Sequence, residues 1–160
     1  MRKKRIMLIG PSGSGKTALA NELNGGVGPL RRSQDTIYGE NTIDVPGAYL
    51  ENRMYSRLLA LSQDAYCILL LLDRGRSGQV YSPGFAKAFA RPVCGVITKG
   101  DLDRRSGEDC RECGQSRECE TQLRNSGVSG PIFTISVSEN WGVAELKAHL
   151  AEMRERQGRI

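Results

Sequence analysis

The stretch IGPSGSGKTAL, residues 9–19, constrains this chain more than any other part of it. An apolar run halts at Gly10, two further glycines follow, and a helix-forming run reopens at a lysine and a threonine. Gly10, Gly15, Lys16 and Thr17 satisfy G-x-x-x-x-G-K-[ST] between a strand and a helix, the context that gives the pattern its meaning. The glycines let the backbone bend around an anion, and the first helical turn adds unpaired N–H donors and the positive end of its dipole. Gly10, Pro11, Ser12, Gly13, Ser14 and Gly15 are therefore the expected phosphate cradle. Lys16 is the expected point charge on the β and γ phosphates, and the Thr17 hydroxyl a ligand of the Mg2+ ion that bridges them. A nucleoside triphosphate is expected.

Two later stretches fall where such a ligand needs them. ENTIDVPG places Asp44 at a strand end, able to hold magnesium through water, with Gly47 two residues beyond Val45 so that its N–H faces the γ phosphate. TKGD, residues 98–101, offers a base-reading loop. The Asp101 carboxylate accepts from N1–H and the 2-amino group of guanine, whereas adenine would leave it unpaired at a cost of ~1–3 kcal/mol. Lys99 can lay its aliphatic stem over the base, and Thr98 opens the motif. Ser136, Val137 and Ser138 follow the last strand as backbone support for the guanine oxygen. A metal-covering hydroxyl before Asp44 is offered by both Ser33 and Thr36, with Ser33 slightly favoured.

The element order fits one α/β domain spanning residues 1–160, a mostly parallel sheet with helices on both faces and right-handed crossovers. Arg5–Ile9, AYCILLLLD at 65–73, RPVCGVITK at 91–99 and PIFTIS at 131–136 read as strands, the continuous apolar runs being suited to burial on both faces. A short strand ends at Asp44. Helices are expected over 18–23, 51–61, 118–124 and 143–153, and a loop over 25–34. Every motif lies at the carboxyl end of a strand, where such sheets gather ligands.

Composition narrows the function classes. Hydrophobic residues at 39% and charged residues at 26% place the chain among globular proteins. The net charge of +5 is dispersed among acids and loops, which argues for a solvated surface and against a nucleic-acid groove. The apolar run at 6–9 is too short for a leader and no run can span a bilayer, so a cytoplasmic protein with no membrane insertion is expected.

The phosphate loop, DVPG, TKGD and SVS together resemble the Ras-like GTPase superfamily of P-loop proteins. RIMLIGPSGSGKTAL, TIDVPGAYLENR and YSPGFA look like the EutP/PduV family of ethanolamine and propanediol utilisation proteins. The resemblance implies a Ras-like fold, here with its second strand shortened or missing, and a threonine such as Thr98 at the head of the base-reading motif. It also implies GTP and GDP as ligands, magnesium, and a role in ethanolamine or propanediol catabolism beside bacterial microcompartment shell or enzyme proteins. For one branch an ATP-dependent acetate kinase activity has been proposed, but nothing in the sequence marks an acceptor pocket. Ala48 stands where Ras-type enzymes carry a water-orienting glutamine and relatives often carry glutamate, so slow intrinsic GTP hydrolysis is expected, with Lys16, Thr17 and Gly47 as its machinery. Gly13 replaces the asparagine of potassium-activated relatives, so no strong potassium dependence is expected.

Some features stay open in the sequence. Cys67 and Cys94 read as buried thiols. CRECGQSREC offers Cys110, Cys113 and Cys119 either as metal ligands, with Asp109 or Glu112 completing the set, or as exposed loop thiols, the preferred reading. His149 reads as a surface residue and Trp141 as packing. Tyr49, Tyr55 and Tyr81 fit either partner contacts or half-buried anchors.

Overall fold

A nine-residue strand with eight buried positions forms the middle of the molecule. This is β5, Ala65–Asp73. A computed structural model of the chain describes residues 3–26, 28, 31–33, 36–74, 79–99 and 114–158. Around β5 the described residues make one seven-stranded sheet. Its strands are β1 (Arg5–Ile9), β2 (Arg31–Ser33), β3 (Thr36–Tyr38), β4 (Thr42–Asp44), β5, β6 (Val93–Thr98) and β7 (Ile132–Thr134), in the order β2-β3-β4-β1-β5-β6-β7. β4, β1, β5, β6 and β7 run parallel to one another, while β2–β3 and β3–β4 are antiparallel. β1 and β5 lie side by side at the centre, and so their apolar runs carry no alternation.

Helices cover both faces. On one side α1 (Lys16–Leu23) and α5 (Val143–Gly158) close a core of Ile6, Leu8, Leu19, Cys67, Leu69, Leu71, Val96, Leu146 and Leu150. On the other, α2 (Gly47–Glu51), α3 (Tyr55–Ser62), a 3-10 turn at Phe85–Ala88 and α4 (Gly114–Asn125) close a core built on Met7, Ile9, Ile68, Leu70 and Leu72. Residues alternating along β1 and β5 thus feed two separate cores.

The second strand expected to be shortened or missing is present and short: β3 has three residues. The expected loop over 25–34 contains a further strand, β2, and the two form a hairpin in which Ser33 pairs directly with Thr36. The helix expected over 51–61 is α3, which begins four residues later, and a separate short helix, α2, precedes it. Arg53 takes a left-handed conformation with φ 52°, and Met54 N donates to Tyr49 O at 2.8 Å, which closes α2 before α3 begins.

Cys67 and Cys94 are buried, as expected. Cys119 corrects its expectation: it lies on the inner side of α4, buried, with its thiol directed at Asp73 O at 3.8 Å, and is no exposed loop thiol. Cys110 and Cys113 lie outside the described residues. His149 is half-buried against the Phe133 ring and 3.6 Å from Cys94 Sγ, because α5 lies with that side on the sheet.

Tyr81 resolves its alternatives as a buried anchor, 2% exposed. Its hydroxyl donates to Ile9 O at 3.1 Å and Leu71 O at 2.7 Å, clasping the ends of β1 and β5 beneath the glycine loop, while its ring stacks on Phe85 with 5.6 Å between centroids. Tyr81→Phe leaves two buried carbonyls short of a donor and is expected to lower unfolding stability by ~1–3 kcal/mol in urea titrations.

Candidate phosphate-binding site

The turn from β1 into α1 is built from left-handed glycines. Gly13 has φ 80° and Gly15 φ 88°, the latter capping α1, and side-chain-bearing residues rarely adopt such values. Around them three of the loop's carbonyls are held by side chains. Pro11 O accepts from Ser14 N at 3.1 Å and from Lys16 Nζ at 3.1 Å, Ser14 O from Thr98 Oγ1 at 2.6 Å, and Gly13 O from Lys99 Nζ at 3.2 Å. In a planar trans peptide N–H and C=O point opposite ways. Thr98 therefore aims the Gly15 N–H away from the base-reading loop.

Lys16 and Asp44 are buried, at 7% and 6% exposure. Burial lowers the Lys16 pKa and raises that of Asp44, and their mutual attraction opposes both shifts. Each charge is thus carried at a cost that an arriving phosphate or cation would offset. The Thr17 hydroxyl donates to Asp44 Oδ2 at 3.1 Å, which joins a hydroxyl and a carboxylate, two hard oxygen donors of the kind magnesium takes. These two fit the ion, which would neutralise charge on the phosphates beside Lys16.

Ser33 and Thr36 face each other across the hairpin, with residues 34–35 between them outside the description. Their pairing explains why spacing alone does not separate them: both sit at one hairpin end. Thr36 is buried, and the next residue, Ile37, pairs with Asp44.

The residues expected to read the base are described in part. Thr98 is buried, and its hydroxyl also reaches Leu72 O at 3.3 Å, so it ties β6 to the phosphate loop. Lys99 takes φ 60° and reaches across to Gly13 and to Asp73. Asp101 lies outside the described residues. Ser136 is buried, holds Ser138 at 3.2 Å between hydroxyl oxygens and accepts from Glu139 N at 3.3 Å, while Val137 packs on the α5 side of the core.

Gly47 opens α2 directly against the loop. A Cβ built there would lie 2.5 Å from Ser12 N and 2.5 Å from Ser12 Oγ, so only glycine allows this approach. Sequence reasoning missed two neighbours. Glu51, the last residue of α2, accepts from Ser12 N at 3.0 Å. A cavity of about 550 Å³ beside the loop is lined by Pro11, Glu51, Arg53, Tyr55, Tyr81 and Ser82 among others. The Y-S-P-G stretch at 81–84 was the available signal for the cavity wall, and nothing in the local pattern marked Glu51.

The sequence model described as "Ethanolamine utilisation - propanediol utilisation" matches residues 3–152. The chain belongs to this PduV-EutP family. "Propanediol utilization protein PduV" of Citrobacter freundii is 40% identical over 144 residues, covering 89% of this chain and 90% of the relative. "Probable acetate kinase EutP" of Salmonella typhimurium is 27% identical over 157 residues, covering 96% and 93%. Among solved structures, a nucleolar GTP-binding protein 1 from Plasmodium falciparum superposes with a TM-score of 0.66 at 20% identity, covering 99% of this chain and 89% of the other. That likeness establishes the P-loop GTPase fold.

Gly47→Ala places a methyl against backbone and must push α2 off the loop. Titration calorimetry is expected to give near-normal GDP affinity and about tenfold weaker binding of a non-hydrolysable GTP analogue, equivalent to ~1.4 kcal/mol.

Proposed function

We propose that this PduV-EutP family member is a magnesium-dependent GTP-binding protein that hydrolyses GTP slowly and serves ethanolamine or propanediol utilisation, in the cytoplasm and beside a microcompartment. The observation that carries the reading is the meeting of Lys16 and of the Thr17–Asp44 pair at a glycine loop whose Pro11 and Ser14 carbonyls are held by side chains. GTP-binding proteins of the same fold support guanine as the base, together with T-K-G-D at 98–101. No described helix is long and apolar enough to cross a membrane.

In this reading Lys16 binds the β and γ phosphates, the Gly47 N–H meets the γ phosphate, and Thr17 with Asp44 holds the magnesium ion. Loss of the γ phosphate removes the bond to Gly47 and lets α2 and the β2–β3 hairpin change their order, as in other nucleotide switches. The covering hydroxyl comes from the hairpin end that Ser33 and Thr36 share.

A second reading is favoured by the cavity beside the loop: an ATP-dependent phosphotransferase whose acceptor, a small carboxylate such as acetate, would be drawn by Arg53. The Salmonella relative's printed name points the same way. Acetate-dependent ATP consumption, abolished by Lys16→Ala, would establish it in place of the first.

Calorimetry of GTP, GDP and ATP with magnesium separates the two. GTP at a hundred times its dissociation constant is expected to raise unfolding stability by ~2.7 kcal/mol, with ATP giving far less. Lys16→Ala is expected to remove that gain. Equal protection by ATP would overturn the guanine reading.

A further inference from the structure

Position 48, the residue after the D-V-P-G turn, is alanine and cannot hold a water molecule. α2 runs from Gly47 to Glu51, so the residue about one helical turn beyond Ala48 is Glu51. Its carboxylate returns to the glycine loop and accepts from Ser12 N at 3.0 Å. Ser12 is also the residue on which Gly47 packs, within 2.5 Å of a hypothetical Cβ. One short helix thus brings a glycine and a carboxylate to a single loop residue. The negative charge of Glu51 is also felt at Lys16, where it favours the protonated ammonium.

We propose that Glu51 is the catalytic group that holds the attacking water at the terminal phosphate, a role that Ala48 leaves empty. The inference rests on the hydrolase reading above. Glu51 is exposed and lines the 550 Å³ cavity together with Pro11, so solvent reaches it from the side of the loop. Arg53, in the same wall, offers only donors, and the Tyr81 hydroxyl donates to Ile9 O and Leu71 O. A carboxylate has about four lone-pair sites, so it can accept from more than one donor at a time.

In the step, the water oxygen forms a bond to the terminal phosphorus while the bond from that phosphorus to the bridging oxygen breaks. The electron pair stays on the diphosphate oxygen, beside Lys16. Both water protons leave with the product as dihydrogen phosphate, and Glu51 ends as it began. A loose transition state asks little proton abstraction of the protein, so the contribution is position and orientation.

The test compares the wild-type chain, Glu51→Ala and Glu51→Gln by calorimetry with GDP and a non-hydrolysable GTP analogue, and by single-turnover GTP hydrolysis. Glu51→Ala is expected to bind both nucleotides like wild type and to hydrolyse GTP roughly 10- to 100-fold more slowly. Glu51→Gln keeps an oxygen that accepts from water and is expected to retain most of the rate. Three results would overturn the proposal. An Ala variant as fast as wild type, or one slowed only in step with weaker binding of both nucleotides, would leave Glu51 as a brace for Ser12. Tighter binding of the GTP analogue alone would make the carboxylate a competitor of the phosphate. A Gln variant as slow as the Ala variant would replace positioning by proton abstraction. Wild-type protein that binds no nucleotide, or binds without turnover, sinks the hydrolase reading itself and Glu51's role with it, and the wild-type arm identifies that failure separately.

Discussion

Three carbonyls of the glycine loop, those of Pro11, Gly13 and Ser14, are each held by a side chain, and the molecule brings distant residues to hold them. Thr98 from β6 takes Ser14 O, Lys99 takes Gly13 O, and Lys16 takes Pro11 O from within the loop's own helix. Tyr81 secures the strand ends below. Without those bonds a glycine-rich loop would sample many conformations, since glycine loses more freedom on ordering than any other residue. The bonds supply the order and the glycines supply the permitted angles.

That order has an electrostatic counterpart. Lys16 and Asp44 are buried charges of opposite sign, each disfavoured by desolvation and each sustained by the other, with Glu51 adding to the field at Lys16. A site of this kind is poised for a ligand that brings its own charges. It also explains why α2 must begin with glycine: the helix that carries Glu51 has to approach Ser12 more closely than any side chain would permit.

Much of the fold was legible in the pattern of apolar runs. β5 appears with the limits its nine residues announce, and β1 likewise, because a strand buried on both faces has no polar position to blur its ends. The β2–β3 hairpin was not legible. Each of its strands has three residues, too few to show a period, and it is defined by pairing with β4. The break between α2 and α3 was hidden as well, since Arg53 is an ordinary helix former locally and takes its left-handed angle from the turn that closes on Tyr49. Cys119 was misread for a related reason: a thiol beside two others in sequence looks like a loop, while its helix turns it inward against Asp73 O.

The sequence by itself determined the glycine loop between the first strand and the first helix, the central strands and the family to which the chain belongs. These depend on residues adjacent or nearly so, whose backbone preferences are local. Only the tertiary structure decided that Thr98 and Lys99 grip the loop from more than eighty residues away, that Tyr81 lies beneath it, that Ser33 pairs with Thr36 across a hairpin, and that Glu51 reaches Ser12. Those contacts join distant segments. Their partners are set by how the sheet stacks its strand ends, a property that no local run of residues encodes.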